Sequence, residues 1–263
     1  MLRGLVKTLR LDPKLVVLEA VRRLFGISYR YRNLKVANLS RFRLLVNATL
    51  KGFEVWGDEE PCICIQGYTL CAPDNLISVV ISEFENYEKW YGYLDVENKV
   101  VLDIGSFIGG TILMFLSKGA RMIYAVEPVF HGYLRRFVEM NNLGDRVVVV
   151  PYGVWSKRWR VRMAVRASGS GLHVGDTEIQ LISLKELIGK AKPDVMKVDC
   201  EGCEWAFTDI ACHDLDMVKE IAMEIHGSET YIVQHLQNCG FKTRKVDEVS
   251  PLVSVWHFYR EER

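Results

Sequence analysis

The sequence predicts an α/β fold: a doubly wound, mostly parallel sheet with an antiparallel strand at one edge, preceded by an N-terminal α+β extension. Three observations predict it. From residue 99 on, apolar runs typical of strands alternate with runs of helical periodicity. The first of these strands ends in a glycine loop. The last two, 241–246 and 253–259, have no full helix between them, which indicates an edge hairpin.

Hydrophobic periodicity assigns the elements in order. The strand-like runs are 99–104, 122–126, 146–150, 195–199, 219–225, 241–246 and 253–259. The helix-like runs between them are 110–118, 130–142, 183–190, 202–211 and 228–239. Upstream, residues 75–92 are predicted to form a helix, and residues 26–75 irregular strands separated by turns.

Length and composition are those of an ordinary globular protein. The 263 residues are 49% hydrophobic and 25% charged, and no apolar run reaches the roughly 18 residues that a membrane helix needs. The net charge of +1 does not favour a nucleic-acid partner. The change of pattern divides the chain into an extension, residues 1–95, and a main domain, residues 96–263.

The start of the chain is strongly basic. Residues 1–43 contain eleven Lys and Arg and two acidic residues, a net charge of +9, whereas the rest of the chain carries −8. Residues 2–25 have the periodicity of one or two amphipathic helices, the second with Asp12 as N-cap and Pro13 in its first turn. Two interpretations stay open: weak contact of residues 1–25 with an anionic membrane surface, and a cap helix packed on the main domain.

Seven cysteines are scattered through the chain, and no signal peptide precedes them. Reduced thiols in a cytoplasmic protein are therefore expected. Cys200 and Cys203 form a C-x-x-C pattern at a predicted helix start, where a thiolate would be stabilised. We interpret them as ordinary buried thiols. A redox pair is the alternative, and no second C-x-x-C is present to complete a zinc ribbon.

The most informative stretch, residues 100–110 (VVLDIGSFIGG), is a buried strand that continues into a glycine loop and a helix. Glycines let backbone approach a ligand, and the helix start offers unpaired N–H groups. The spacing of Gly105 and Gly109 does not fit the G-x-G-x-x-G of dinucleotide sites. Asp103 would repel a pyrophosphate but favour S-adenosylmethionine, which carries an ammonium and a sulfonium. The loop therefore predicts an S-adenosylmethionine site with Asp103, Gly105, Ser106 and Gly109.

A second acidic residue supports this site. Glu127 ends the second strand, 22 residues after Gly105. A carboxylate at about that distance accepts hydrogen bonds from ribose hydroxyls. Glu127 and the neighbouring Pro128 are therefore predicted to lie against the cofactor. The alternative is that Asp103 caps the following helix and that Glu127 is merely exposed.

In these stretches the chain resembles class I S-adenosylmethionine-dependent methyltransferases, and within them the FkbM-type family. The most family-specific part is K-x-D-x-E-G-x-E, from Lys197 to Glu204. The matching stretches, in the family's order, are VLDIGSFIGG (101–110), AVEP (125–128), NNLGDR (141–146), ISLKELI (182–188), DVMKVDCEGCEW (194–205) and MEIHG (223–227).

The resemblance implies a Rossmann-like methyltransferase domain, S-adenosylmethionine as the cofactor, and methylation of a hydroxyl on a small metabolite, sugar or glycan. Many class I enzymes hold the adenine amine with an acidic residue after the third strand. This chain has PYGVW (151–155) there, so the adenine is assigned to Asn142 or to backbone.

Candidate catalytic residues lie where the fourth and fifth strands of the main domain end. Asp199 and Glu201 follow one strand, and Glu224 and His226 share a face of the other. A hydroxyl acceptor needs a base to remove its proton. We predict that His226 or Asp199 accepts the proton and that Glu201 orients the acceptor. The alternatives are that these groups only close caps and loops, or that Asp199, Glu224 and His226 hold a divalent metal; the site is predicted to contain none.

Two other functions are compatible with the sequence. An RNA methyltransferase could use the basic arm and the tract WSKRWRVRMAVR (155–166), but the proline motif of base-amine enzymes is absent after strand four, and the alternation of the tract favours a solvated face. A catalytically silent adenosyl-binding module is the other function.

Residues 166–173, rich in glycine and serine, are predicted to form a mobile loop near the acceptor.

Overall fold

The computed structural model describes residues 12–32, 34–165 and 176–261. The chain divides into two compact units, one up to Phe84 and one from Glu85 onward. The glycine- and serine-rich segment 166–173 and the helix predicted before Asp12 lie outside the described residues.

Helix α1 (Pro13–Phe25) of the first unit begins and ends on capping residues. The Asp12 side chain accepts a hydrogen bond from the Leu15 N–H at 3.4 Å, and Pro13 occupies the first turn. Gly26 ends the helix in the left-handed conformation. The helix start predicted at Asp12 and Pro13 is confirmed.

Helix α2 (Leu39–Lys51) falls in the region predicted to form irregular strands, and that prediction is wrong there. The Asn38 side chain accepts from the Arg41 N–H at 2.8 Å, and Gly52 ends the helix with φ +76°. These caps override the weak strand propensity of the residues between them. The side chains that α2 buries recur at helical spacing: Arg41, Phe42, Leu44, Leu45 and Ala48.

The rest of the first unit consists of short antiparallel strands and the first part of α3. Strand β1 (Tyr29–Tyr31) pairs with β2 (Leu34–Val36). Strands β3 (Val55–Trp56), β4 (Cys62–Ile65) and β5 (Tyr68–Cys71) form a sheet in that order. Helix α3 (Asp74–Tyr91) confirms the helix predicted over residues 75–92.

Seven strands of the second unit have bounds within a few residues of the predicted runs, and three others, at 153–155, 159–163 and 177–183, are covered by none of those runs. In chain order they are β6 (Val100–Ile104), β7 (Met122–Val126), β8 (Val147–Val150), β9 (Gly153–Trp155), β10 (Trp159–Met163), β11 (Thr177–Ser183), β12 (Val195–Val198), β13 (Glu220–His226), β14 (Lys242–Ser250) and β15 (Val253–Tyr259).

Seven of these strands form one sheet in the order β14-β15-β13-β12-β6-β7-β8. The pairs from β13 to β8 are parallel, whereas β15 runs antiparallel to both β13 and β14. The doubly wound, mostly parallel sheet is confirmed. The antiparallel strand is β15, one place in from the edge, because β14 and β15 form the predicted hairpin. Strands β9, β10 and β11 make a separate small sheet.

The helices of the second unit are α4 (Gly110–Ser117), α5 (His131–Met140), α6 (Leu184–Ala191) and α7 (Thr230–Asn238). A 3₁₀ helix, Cys203–Thr208, replaces the α-helix predicted over 202–211, and a second 3₁₀ helix, Cys212–Leu215, follows it. Neither has a side-chain cap, and disulfides hold the chain at the start of each. In the part of the chain that the structure describes, no helix is both long enough and apolar enough to cross a membrane.

Six cysteines are paired in disulfides, so the expectation of reduced thiols is wrong for them. The pairs are Cys62–Cys71, Cys200–Cys203 and Cys212–Cys239, and the exposed Cys64 is a free thiol. The interpretation of Cys200 and Cys203 as ordinary buried thiols is corrected with them. Cys62 and Cys71 face each other across β4 and β5, a proximity that spacing along the sequence does not reveal.

Strand β12 lies in the centre of the large sheet, and all four of its residues are buried. Both faces of a central parallel strand are covered, which explains its apolar character. Lys197 on β12 and Asp103 on the neighbouring β6 are the polar exceptions. A buried charge requires a partner, so these two residues mark the place where the sheet carries chemistry.

Candidate active site

The loop after β6 turns sharply because Gly105, Phe107 and Gly109 all have positive φ, of +81°, +51° and +112°. The Gly105 N–H donates to the Val126 carbonyl at 2.9 Å, which ties the loop to the end of β7. A Cβ on Gly105 would lie 1.7 Å from the Asp199 carbonyl oxygen. Glycine therefore allows this loop and the turn after β12 to come into backbone contact.

Asp103 is completely buried at the end of β6 and points into the protein. Its Oδ2 accepts from the Thr111 hydroxyl at 2.6 Å, and its Oδ1 lies 3.3 Å from Lys197 Nζ, an ion pair not aligned as a hydrogen bond. Lys197 also donates to the Gly105 carbonyl at 2.7 Å. Burial alone would lower the pKa of Lys197, but Asp103 and Asp199 raise it, so the amine is a cation. Asp103 thus anchors the loop from inside, and its place in an S-adenosylmethionine site stays a prediction.

Glu127 follows β7 and is 7% exposed, so the alternative of a merely exposed residue is wrong. Its Oε1 accepts from the N–H groups of Val129 at 2.7 Å and Phe130 at 2.9 Å. Burial raises the pKa of Glu127, and these backbone donors oppose the shift. The rings of Phe107 and Phe130 pack edge to face, 5.1 Å between centroids. A fixed carboxylate and an aromatic pair therefore lie together beside the glycine loop.

The turn after β12 is held in an uncommon backbone conformation. Glu201 has φ +57° and Gly202 has φ +124°. A positive φ is uncommon for a residue with a side chain and often marks a functional site. The Cys200–Cys203 disulfide encloses these two residues, and the Asp199 N–H donates to β6 at 3.0 Å. The turn is therefore constrained at both ends.

His226, the last residue of β13, is surrounded by three carboxylates. Its N–H and Nδ1 lie 3.0 Å and 3.2 Å from Oε1 of the fully buried Glu204. Its Nε2 lies 3.3 Å from Glu201 and 3.7 Å from Glu224. Burial would lower the pKa of His226, but the hydrogen bond to Glu204 and the charges of Glu204 and Glu201 raise it to about 9, with Glu224 adding to the shift where it is ionised. His226 is therefore an imidazolium at neutral pH, a state that cannot take a proton from an acceptor.

Glu224 and a further acidic residue, Asp199, meet at a buried phenol. The Tyr91 hydroxyl lies 3.1 Å from Asp199 Oδ2 and 3.5 Å from Glu224 Oε2. Burial and the charge of Asp199 raise the pKa of Glu224 to about 8, so Glu224 holds a proton at neutral pH. Burial and Asp199 also raise the pKa of Tyr91 well above its ordinary value, which keeps the phenol neutral.

Raising the pH from 6.5 to 9 is expected to lower the free energy of unfolding. The pKa of His226 rises from 6.5 in the unfolded chain to about 9 in the folded one, so its contribution is complete below pH 6.5 and is lost as the pH passes 9. Glu224, raised from 4.5 to about 8, acts in the same direction. Each group contributes a slope of at most about 1.4 kcal/mol per pH unit. Urea unfolding at several pH values measures this slope. A slope above pH 7 that is the same in His226→Gln as in the unmodified protein would contradict the raised pKa of His226.

Within residues 12–32, 34–165 and 176–261, one group of potential metal ligands has its donor atoms mutually within 4.8 Å: Cys212, His235 and Cys239. The two cysteines are joined in a disulfide, and His235 Nε2 lies 2.9 Å from the Ile210 carbonyl. The acidic groups around His226 do not form such a cluster in the described chain. We assign no ion to either place.

Most of the predicted site residues lie at the carboxyl ends of β6, β7, β12 and β13, which are neighbours in the sheet. Asn142, predicted to hold the adenine, is an exception. It is exposed, has φ +53° and precedes β8, so it lies at the opposite edge of the parallel strands. The residues brought to the carboxyl edge are Asp103, Gly105, Ser106, Gly109, Glu127, Pro128, Asp199, Glu201 and His226.

Three predicted cofactor residues shape the loops. The Ser106 hydroxyl is buried and donates to the Asp103 carbonyl at 2.8 Å, and Gly109 occupies the N-cap of α4. The Pro128 carbonyl lies 3.1 Å from His131 Nδ1. Sequence reasoning missed Tyr91, which no motif marks. Lys197 entered the sequence analysis only as the first residue of a motif. A lysine inside an otherwise apolar strand is nevertheless a signal of a buried ion pair.

No protein-family profile matches the chain, so the FkbM resemblance stays a prediction. The chain is similar to the histone-arginine methyltransferase CARMER of Anopheles gambiae, with 39% identity over 57 residues, 21% of this chain. It matches only 9% of the length of that relative. The match is too short to bring the activity of the relative to this chain.

Three solved structures illustrate the likeness of the fold. An O-methyltransferase family protein from Burkholderia thailandensis has a TM-score of 0.46 at 11% identity, covering 71% of this chain and 58% of that one. Magnesium protoporphyrin IX methyltransferase from Synechocystis PCC 6803, with bound SAM, has 0.44 at 12%, covering 72% and 83%. A tRNA methyltransferase of M. jannaschii has 0.42 at 12%, covering 95% and 80%. At these scores none of the likenesses identifies a substrate.

Proposed function

We propose that this protein is an S-adenosylmethionine-dependent methyltransferase of the FkbM type that methylates a hydroxyl of a small metabolite, sugar or glycan. The observation that supports it is the clustering of the glycine loop, Glu127 and the acidic turn at the carboxyl ends of adjacent strands, where open α/β sheets bind ligands. Carboxylates outnumber cations there, which favours a cationic donor. Calorimetry with S-adenosylmethionine, its homocysteine product and NAD tests this: the first two should bind and NAD should not.

The residues at this edge fit an adenosyl sulfonium compound. Glu127 would accept hydrogen bonds from the ribose through its Oε2, since its Oε1 is already occupied. Phe107 and Phe130 would flank the adenine in place of Asn142. The backbone between Gly105 and Gly109 would approach the amino-acid part. When bound, S-adenosylmethionine supplies an electrophilic methyl group.

Glu127→Gln is expected to weaken S-adenosylmethionine binding by about 10- to 100-fold. The substitution keeps the shape but removes the charge, and a hydrogen bond to a charged group contributes roughly 1.5–3 kcal/mol. Calorimetry measures the dissociation constant. The same change at the exposed Glu139 of α5 is the matched control and should leave binding unchanged. Equal affinities for the two variants would contradict the role of Glu127.

Bound S-adenosylmethionine would supply the methyl group to the acceptor oxygen, and a base on the protein would receive the proton of the acceptor hydroxyl. We propose Asp199 as this base, because His226 is already protonated. Lys197 and Tyr91 both contact Oδ2 of Asp199, and the side chain remains 26% exposed, which leaves Oδ1 for the acceptor. The His226 cation would hold Glu201, which orients the acceptor.

Asp199→Asn is expected to reduce methyl transfer by about 100-fold or more, the usual contribution of a general base. S-adenosylmethionine affinity should change by only a few-fold. The measurement is release of the homocysteine product with a panel of hydroxyl compounds, with Asp209→Asn at an exposed position as the control. His226→Gln should have a smaller effect than Asp199→Asn; the reverse order would return the base role to His226.

The lining of a neighbouring groove supports a polyhydroxylated acceptor. A groove of about 310 Å³ begins at Gly227, one residue after His226. Its cation, Lys245, lies 2.8 Å from Glu229 and is therefore already paired. A sugar would find hydroxyl partners there, whereas a phosphate chain would find no unpaired cation. The hydroxyl side chains along the groove are Ser228, Thr230, Ser250 and Ser254.

RNA is the alternative acceptor, and one observation bears on it. In the basic tract, Arg158 Nε lies 2.7 Å from Glu186, and Arg160 lies 3.4 Å from Glu178. These pairs support the solvated-face interpretation, although Trp159 is 61% exposed. Binding of RNA that falls steeply with salt, followed by product release, would favour the RNA enzyme. Binding of the donor without release for any acceptor would indicate the silent module.

We also propose a cytoplasmic location and a weak membrane-surface contact for residues 1–25. At the end of α1, Leu24 and Phe25 are exposed beside Arg22 and Arg23. Liposome binding of the full chain against a chain that starts at Gly26 tests the contact. Disulfides inside the cell are rare in mesophiles and common in hyperthermophiles. Alkylating the protein inside the source cell and counting its free thiols therefore tests the proposed location.

A further inference from the structure

Tyr91 is a buried residue that the proposed chemistry does not yet use. It is the last residue of α3, and no part of it is exposed. Its hydroxyl lies between carboxylates that come from two different strand ends, 3.1 Å from Asp199 Oδ2 and 3.5 Å from Glu224 Oε2. Its ring lies under Lys197 Nζ, 5.6 Å from the centroid.

A phenol has one proton to donate, and the shorter contact assigns it to Asp199. The phenol oxygen then remains as an acceptor on the side of Glu224, which supplies the proton for that contact when it is protonated. Lys197 lies 3.7 Å from the same Asp199 oxygen and adds a positive charge on that side. Other titratable groups also act on these residues: Tyr87 on Tyr91, Asp103 on Lys197, and His226 and Glu201 on Glu224. Glu204 in turn acts on His226.

We propose that Tyr91 is a positioning residue that gives the two carboxyl groups different roles: its hydroxyl donates to Asp199 and accepts from Glu224, so that Asp199 is the one held in place to receive the acceptor proton. This inference rests on the proposed function, in which Asp199 receives the acceptor proton. Without the hydroxyl, both carboxyl groups would lose this hydrogen bond, and nothing at the phenol would distinguish the base Asp199 from Glu224. Tyr91 itself gives up no proton in the reaction.

Tyr91→Phe removes the hydroxyl and keeps the ring. Asp199 loses a hydrogen-bond donor, and Glu224 loses the acceptor for its proton. The second change should make Glu224 ionise at a lower pH. We expect a decrease of roughly one pH unit, the equivalent of one hydrogen bond to a charged group. The side-chain carboxyl ¹³C resonance of Glu224, assigned with Glu224→Gln, measures it in the full chain.

Tyr93→Phe is the matched control. Tyr93 is two residues further along the chain, and its buried hydroxyl has no hydrogen-bond partner within the described residues. Removing that hydroxyl should leave the ionisation of Glu224 where it is in the unmodified protein. An equal result for Tyr91→Phe and Tyr93→Phe, or an increase in Tyr91→Phe, would overturn the proposal.

A measurement on the unmodified protein covers the case in which Tyr91→Phe does not fold. The ¹³Cζ resonance of Tyr91 should shift over the pH range in which Glu224 ionises, while that of Tyr93 should not; a constant Tyr91 resonance overturns the proposal. Calorimetry with S-adenosylmethionine on the same samples keeps the two questions apart. Absence of binding would reject the proposed function, whereas the resonances report on Tyr91 whether or not the donor binds.

Discussion

Lys197→Met is expected to lower the free energy of unfolding by about 3–5 kcal/mol, because it removes one partner of a buried ion pair and leaves the other without compensation. Lys197 is 1% exposed and lies 3.3 Å from Asp103, which is itself completely buried. Methionine has nearly the same length, so the packing changes little.

Urea unfolding at neutral pH measures this loss of stability. Two further variants serve as comparisons. Lys190→Met removes an exposed ion pair of α6 and should change stability by less than about 0.5 kcal/mol. Adding Asp103→Asn to Lys197→Met should restore part of the stability, because the uncompensated charge is then removed as well. A loss in Lys197→Met no larger than that in Lys190→Met would mean that the buried pair does not stabilise the fold.

Gly105→Ala is expected to cost about 2–5 kcal/mol of stability and to abolish donor binding. The residue has φ +81°, and the new Cβ would lie 1.7 Å from the backbone oxygen of Asp199. Strain at a positive φ and overpacking each contribute roughly 1–3 kcal/mol. The obstacle is backbone rather than a flexible side chain, so the loop after β6 has to move away from the turn after β12.

Thermal or urea unfolding and donor calorimetry measure the two effects of Gly105→Ala. Gly189→Ala in α6 is a control with the opposite sign, since a Cβ there meets nothing within 4 Å. Alanine in a helix is favoured over glycine by roughly 0.5–1 kcal/mol, so this variant should be slightly more stable. Wild-type stability and donor affinity in Gly105→Ala would contradict the close approach of the two segments.

The elements of the large sheet could be predicted from the sequence because their signals are local. The bounds of β7 and β15 match the predicted runs 122–126 and 253–259. The same local reasoning failed for α2, where residues 39–51 were read without the caps Asn38 and Gly52. It also failed for residues 202–211, where disulfides and short 3₁₀ turns take the place of an α-helix.

The candidate site was predictable where position along a strand decides the outcome. Glu127 and Asp199 follow parallel strands, and the carboxyl ends of such strands meet at one edge of the sheet. The position of Asn142 was not predictable in this way. Its assignment to the adenine came only from the absence of an acidic residue, and a residue that precedes β8 lies at the opposite edge of the parallel strands. The pairing of the cysteines was not predictable, since their spacing carries no information about distance in space.

By itself the sequence determined the order of strands and helices, the glycine loop and the edge at which the acidic residues gather, because each follows from local periodicity and from the direction of parallel strands. Only the tertiary structure decided how those charges are used. Asp103 is neutralised by Lys197, His226 is charged among three carboxylates, and Tyr91 contacts Asp199 across 108 residues of chain. Protonation depends on distances in space and on burial, which neighbours along the chain do not specify.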